Sequence, residues 1–494
     1  MTEAERQPLL GPIPEDIENG VNYDDVILEF NPNGDPDDPR QWPATFKWAM
    51  VLLLAGMAFT ITFTCISVVP IAGRIVRDLD KNAQSHSAAS ALLVTIWEFG
   101  EAAGPLLIAP LSELFGRYPV LNVCNVLFII CTLMAALSRS TLFLIVARAL
   151  TGVTVASTVL NPAIVGDMFD SDHRGSAMSI LMMAPLIGGA IGPAISGVIT
   201  ETLGWRQVLF IAAGLASACE LMLLVCFRET YKMSILQRRA AKLLGRTLST
   251  SDQNGKVKMW ASISRPFNVL FGSGVLLVIS LFGSVAFSYY YVISTSLPAI
   301  LETIYHFSPA QIGAAFLCCS VGSFIGVLLC NAGLDRIYVK LRVTCKTPGK
   351  PEYRLPLAII AAFTMPVTVT AYGWITELRL PVALLLVSIV MLGFALILVI
   401  IPLSAYVVDA FGLYSASAMT GVIVTRCLMS TFFPLTIEPL VESLGYGLGF
   451  TCLGVISLGL APVPVFVFRY GDRWRQRFKF APDVDIPGGF EREA

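Results

Sequence analysis

The sequence predicts an all-α membrane protein with twelve transmembrane helices in two sets of six, and three observations carry that prediction. First, 55% of the 494 residues are hydrophobic and only 14% are charged, against about a quarter charged in a soluble domain. Second, the charges gather in short segments, and the apolar stretches between them run about 20 residues, enough to cross about 30 Å of hydrocarbon as a helix. Third, a basic, polar segment from Arg228 to Pro266 divides those stretches into two equal groups. Lipid offers a spanning backbone no hydrogen bonds, so the backbone must close on itself as a helix or a barrel. No ten-residue window alternates as barrel strands do.

In chain order, residues 1–46 are polar and rich in Pro, Asn and Asp, and read as a disordered cytoplasmic tail. The tail has no early apolar run and is no signal peptide. The predicted spans of the first half, residues 47–227, are Lys47–Pro70, Ala88–Pro110, Pro119–Leu137, Thr141–Val165, Ser176–Ile199 and Trp205–Phe227. Residues 228–266 form a cytoplasmic central loop. The second half, residues 267–468, holds Phe267–Pro298, Ala310–Asn331, Leu355–Ile375, Pro381–Ala405, Ser415–Ile437 and Tyr446–Phe468. The first of these is too long for one straight span and calls for tilt or an extension into the loop. Residues 469–494 are a cytoplasmic tail. No sequence repeat between the halves is visible.

Basic residues fix the orientation. With the N-terminus in the cytoplasm, about 26 of the 34 Lys and Arg face that side. The opposite side holds Arg74, Arg77, Lys81, Arg139, Arg206 and Arg379, and only Arg148 and Arg426 fall inside spans. Both termini are therefore expected inside. Net charge is −1, which points to no nucleic-acid partner. All of the eleven cysteines except Cys345 fall in spans, so they read as packing residues, not as a disulfide framework or a metal site.

Several motifs then narrow the class. The segment Ala109-Pro110-Leu111-Ser112-Glu113-Leu114-Phe115-Gly116-Arg117 follows span two. It resembles the loop signature of the major facilitator superfamily, G-x-L-x-D-R-x-G-R, through Glu113, Gly116 and Arg117. Ala109 and Leu114 depart from it. A carboxylate at Glu113 can cap a neighbouring helix or pair across the halves; a solvated turn is the plainer reading. In span four, Arg148 and Gly152 match the superfamily's R-x-x-x-G. An arginine there is costly in lipid, so it serves either proton coupling, as the resemblance implies, or structure, by bonding backbone carbonyls. In span five, Gly188, Gly192, Pro193 and Gly197 are similar to the antiporter motif G-x-x-x-G-P-x-x-G-G, with Ser196 replacing one Gly. Small residues four apart allow close helix approach, and Pro193 permits a kink. Asp167 after span four and Asp409 after span ten belong to further matches, as does "RETYKMSILQRRAAKLL" at the start of the central loop. The whole resembles the fungal drug:proton antiporter branch. It implies the major facilitator fold, two six-helix bundles about a central cavity.

Glu98 and Glu101 in span two set this chain apart, because the antiporter pattern is apolar there. Three residues apart, they share a helix face, and two carboxylates so close and away from water resist ionising together. Arg148 is the expected counter-ion. Glu220 in span six is a further buried acid, read as a proton site or as a structural partner. In span seven, Tyr289 and Tyr290 are candidates for stacking on substrate, with Tyr291 beside them. Arg426 in span eleven either binds an anionic substrate group or ties helices together.

The expected function is proton-coupled efflux of a small organic compound, a drug or secondary metabolite, by alternating access. Its partners are that solute, protons and the bilayer, and it acts as a monomer in the plasma membrane. The vacuole is the alternative, since Glu5, Leu9 and Leu10 fit an acidic dileucine signal. Symport or facilitated uptake is the runner-up, and a non-transporting sensor the third class. No cofactor, metal or enzymatic activity is expected. His86, His173 and His306 fall in predicted loops, and no Walker motif appears.

Overall fold

The computed structural model describes residues 30, 35–80, 86–244, 263–345 and 349–475, which contain helices and no strand. In the first half, α1 (Ala44–Ile66) ends in a tight turn over Val69–Ile71 and the short α2 (Ala72–Leu79). Next come α3 (His86–Phe115), α4 (Arg117–Ala136), a fourth span in two pieces, α5 (Thr141–Val153) and α6 (Ser157–Met168), then α7 (Ser171–Thr202) and α8 (Trp205–Cys226). The link holds α9 (Lys232–Leu244) and α10 (residues 263–272). The second half is α11 (Gly274–Thr303), α12 (Pro309–Cys345), α13 (Pro356–Glu377), α14 (Val382–Phe411), α15 (Ser415–Phe432), α16 (Ile437–Leu460) and α17 (Pro462–Arg475).

Eleven apolar helical stretches are long enough to span, and the last runs 60 residues, from Ser415 to Trp474. It is two passes. Gly445 sits at φ 76, ψ 173, a conformation open essentially to glycine alone. Beyond it a new helix start is capped by Glu377, whose carboxylate accepts from the backbone N–H of Tyr446 at 2.8 Å and of Gly447 at 3.3 Å. The chain thus has the twelve-helix architecture.

Pairing within the halves repeats. In the first, α1 packs on α7, α3 on α5, and α4 on α8; in the second, α11 packs on α15, α12 on α14, and α13 on α16. Spans 1–5, 2–4 and 3–6 thus recur as 7–11, 8–10 and 9–12. The halves meet along two seams, α7 on α12 and α3 on α15.

The two faces of the bundle differ. We call the one bearing the chain ends the near face. At the far face an apolar core fills the second half and continues into the first through Val68, Ile71, Ile75 and Leu93. There Arg77 pairs with Glu302 at 2.7 Å and Arg74 with the same carboxylate at 3.4 Å, joining the halves. Among the described residues, ion pairs at the near face stay within one half or its link. The molecule is closed at the far face.

Four sequence expectations are corrected. Span seven starts later than expected: Ser273 breaks the helix, its hydroxyl accepting from the N–H of Leu276 at 3.4 Å, so α10 is a separate helix and the span itself, still long at 30 residues, is α11 and runs on to Thr303. Span eight runs past Asn331 to Cys345 because its Lys- and Arg-rich end is still good helix former. The tail gains structure from Asp35 onward. Asp38 caps a helical turn over Pro39–Gln41, Trp42 is buried, and Arg239 of α9 bonds both Asp35 and Asp37. His86 and His173 lie in the first turns of α3 and α7, not in loops. Glu5, Leu9 and Leu10 lie outside the described residues.

Candidate functional site

The α3–α15 seam brings together three ionisable side chains of the membrane interior, Glu98, Glu101 and Arg426. Glu98, on the α3 face turned to the second half, is 4% exposed. Tyr291 of α11 donates its hydroxyl to Glu98 Oε1 at 2.6 Å, the length of a charge-assisted bond. The other oxygen, Oε2, has no partner among the described residues. One turn on, Glu101 accepts from the Trp97 indole N–H at 3.3 Å. Across the seam stands Arg426 of α15, whose charge both carboxylates feel. Thr431 of α15 donates to the carbonyl of Thr95 at 3.4 Å, and Phe99 meets Phe432 edge-on at 6.2 Å. Glu98 and Glu101 are thus brought together with Arg426 and Tyr291, each from the opposite half.

Arg148 is not the counter-ion of this pair. It is 1% exposed and donates to the carbonyls of Thr64 at 3.0 Å and Cys65 at 2.9 Å, in the last turn of α1. A helix end presents unpaired carbonyls and a partial negative charge, and these take both terminal nitrogens of the guanidinium without a carboxylate. Its plane lies over the Trp97 ring at 4.9 Å, so it reaches Glu101 only through the indole. Of the two sequence readings, the backbone-bonding one describes this geometry.

Three other candidates lie apart from the seam. Glu220 is buried between α8 and α4, where Asn125 donates to it at 2.7 Å. It makes a structural contact inside the first half. Tyr289 turns into the second-half core and donates to the carbonyl of Leu453 at 2.8 Å, so its hydroxyl is not offered to a solute. Tyr290 stays beside the seam, its ring 5.3 Å from that of Tyr291 and perpendicular to it. Tyr291, which the sequence did not single out from its neighbours, is the one bonded to an acid. Three consecutive helical residues diverge by about 100° each, and only the packing tells which one faces the seam.

The near-face motif works through residues other than Glu113. Gly116 makes the turn at φ 97, ψ 164, and Glu229, just beyond α8, caps α4 by accepting from the N–H of Arg117 at 2.8 Å and of Tyr118 at 3.3 Å. Arg117 pairs with Asp167 at 3.5 Å and lies over the Tyr231 ring. Glu113 is exposed and makes no ion pair among the described residues. Glu229 stands in the "RETY" stretch already noted, and a carboxylate so close to a span end was its only signal. The second half has a counterpart: Arg354 joins Asp409, at 2.9 Å, to Asp335.

The α7 motif divides its work. A Cβ on Gly188 would meet the Phe59 carbonyl at 2.6 Å, and Gly192 lies against Phe63, so both pack on α1 of their own half. A Cβ on Gly197 would sit 2.3 Å from the Pro309 carbonyl, and one on Gly313 of α12 would sit 2.2 Å from the Pro193 carbonyl. Pro193 and Gly197 therefore face the other half, and Gly188 and Gly192 do not.

The model of the Major Facilitator Superfamily matches residues 48–434. The efflux pump radE of Floropilus chiversii is 30% identical over 469 residues, 92% of this chain and 86% of its own. The MFS transporter cpaT of Aspergillus oryzae is 31% identical over 458 residues, 91% of this chain and 92% of its own. Among solved structures, a D-xylose-proton symporter aligns at a TM-score of 0.65 with 16% identity, over 89% of this chain and 99% of that one. The partially occluded, inward-open xylose transporter XylE of E. coli aligns at 0.63 with 15% identity, over 86% and 98%.

Proposed function

The chain belongs to the major facilitator superfamily of membrane transporters, and from that premise we propose that it exports a small organic compound in exchange for protons. One observation carries the reading. An acid pair on α3, Glu98 and Glu101, lies on the seam between the halves, where Tyr291 of the opposite half bonds Glu98 and the charge of Arg426 acts on both acids. A charge that changes there changes the attraction between the halves, which is what proton coupling by alternating access requires. The efflux pump among the relatives supports the outward direction.

In this reading the far-face closure is one end of the cycle, with the solute entering from the near face. That face is cytoplasmic, since it carries the basic loops. Rocking the halves opens the far face and breaks the Arg77–Glu302 and Tyr291–Glu98 contacts. Protons arriving from outside neutralise the acid pair and replace the attraction of solute for the cleft. The protein acts as a monomer in the plasma membrane and catalyses no bond change.

The test is flux in sealed vesicles containing the purified protein, with an imposed pH difference. Solute should move against the proton flow, and the Glu98→Gln, Glu101→Gln double variant should lose that response while remaining in the membrane. Undiminished proton-driven flux in the double variant would overturn the assignment. Solute moving with the protons would make the protein a symporter instead.

A further inference from the structure

Arg426 differs from every other buried arginine of the bundle. Arg148 has two backbone carbonyls, and Arg117 has Asp167 and Ser112. Arg426 makes no hydrogen bond and no ion pair with any described residue; its Nε, like those of Arg148 and Arg117, is buried without a hydrogen-bond partner, and the group lies over the Phe287 ring at 4.4 Å. A guanidinium carries five N–H donors, and leaving such donors empty inside a bundle is costly. Glu98 and Glu101 act on it electrostatically, yet neither closes to ion-pair distance. Phe287 covers one face of the group, the two acids of α3 lie across the seam from it, and Arg426 is only partly covered by protein.

The charges around it decide what kind of solute. Facing the site are Glu98 and Glu101 from α3, Arg148 from α5, Cys65 from α1, Tyr290 and Tyr291 from α11, and Arg426 and Cys427 from α15. With both acids ionised, the state in which the export reading has solute bound, the two acids and two arginines sum to zero formal charge. An added cation would meet the unpaired Arg426. An added anion would have a single free guanidinium against two carboxylates, because Arg148 is already occupied by α1. A neutral solute leaves the balance intact. The walls are aromatic: Phe287 lies 6.3 Å from Tyr290 and 5.8 Å from Tyr291, and Phe99 and Phe432 close the seam nearby.

We propose that the transported compound is a neutral, planar aromatic molecule bearing a carbonyl or phenolic oxygen, and that Arg426 donates to that oxygen while Phe287 and Tyr290 flank the ring. This deepens the export reading and rests on it for the identity of the site. An aromatic surface accepts ring-bearing solutes without fixing their outline, and the guanidinium sets their orientation.

Four naphthalenes substituted at the same ring carbon test it by calorimetry on the full-length protein in detergent. They are acetonaphthone (neutral, with an acceptor), ethylnaphthalene (neutral, with none), naphthoate and naphthylmethylammonium. Acetonaphthone should bind tightest, about tenfold more tightly than ethylnaphthalene, a difference of about 1.4 kcal/mol. Arg426→Gln should bring acetonaphthone to the level of ethylnaphthalene and leave ethylnaphthalene unchanged, which also shows that the variant is folded. Should that variant fail to fold, Phe287→Leu, expected to weaken both neutral probes alike, and the ranking on the native protein decide the matter. Tightest binding of naphthoate or of naphthylmethylammonium, equal binding of the two neutral probes, or no binding of any probe overturns the proposal. No pH gradient enters these measurements, so their failure leaves the proton-exchange reading standing. Loss of gradient-driven flux control would likewise leave the probe order untouched.

Discussion

Where α7 meets α12 the halves touch mostly through bare backbone, whereas where α3 meets α15 and α11 they touch through buried ionisable and aromatic side chains. At the first seam, Gly197 lies on the Pro309 carbonyl and Gly313 on the Pro193 carbonyl, with no side chain between them. At the second, Glu98, Glu101, Tyr291 and Arg426 share one polar cluster. Both seams hold the same two bodies, so the contrast separates two tasks. A glycine seam fixes how closely the halves approach, and its charged contact among the described residues is an exposed one, the Glu201 carboxylate of α7 accepting from the N–H of Ala310 of α12 at 3.3 Å. The acid seam holds weakly, through a few bonds whose strength depends on protonation. In the export reading, the first sets the geometry of the motion, and the second sets its bias.

The largest effect is expected from giving the glycine seam a side chain. Gly313→Val places atoms where the Pro193 carbonyl already is, and overpacking of this kind costs about 1–3 kcal/mol. Vesicle flux should fall about a hundredfold, with the pH response of what remains unchanged. A valine tolerated there would mean that the seam is not the contact surface in the working cycle. Next in size is Glu98→Gln. It keeps the shape and removes the charge, so proton-driven flux should drop at least about tenfold while solute–solute exchange, which needs no net proton movement, persists. Loss of both activities would make Glu98 structural.

Tyr291→Phe isolates the bond across the seam. A hydrogen bond to a charged partner is worth about 1.5–3 kcal/mol. Its loss should shift the far face toward the open state, read as faster labelling of a cysteine placed at Val68, and should change the pH profile of flux as well as its rate. A change in rate alone would assign Tyr291 to packing. The smallest effect belongs to Arg77→Gln at the far mouth. Its bond with Glu302 is half exposed, and such pairs contribute about 0–1 kcal/mol. Flux should change less than about fivefold, and less still at high salt. An effect as large as that of Glu98→Gln would move the coupling from the acid seam to the mouth.

Much of this was legible from residue order. The cluster acids were found because a Glu among apolar residues is conspicuous, and Arg426 for the same reason. Arg148 was found too, but its partner was misassigned. Sequence spacing placed it near span two and could not show that the carbonyl end of α1 lay closer. Glu220 and Tyr289 carried the same signals as Glu98 and Tyr291. An acid in a span, or a tyrosine beside another, looks alike whether it faces a seam or a neighbour within its own half. Gly313 gave no signal because a lone glycine in an apolar stretch is common, and its importance lies in the Pro193 carbonyl opposite it.

By itself the sequence determined that the chain crosses a membrane as helices, about where each crossing falls, and how it divides into halves. Those features follow from the cost of placing backbone and charge in hydrocarbon, a local property that residue order records directly. The folded structure alone decided which spans pair, that the pairing of the first half recurs in the second, and which of several equivalent polar side chains meet across the seam. These depend on the rotation of each helix about its own axis. Packing between helices sets that rotation to within a fraction of a turn, and no stretch of sequence read alone contains the neighbour that fixes it.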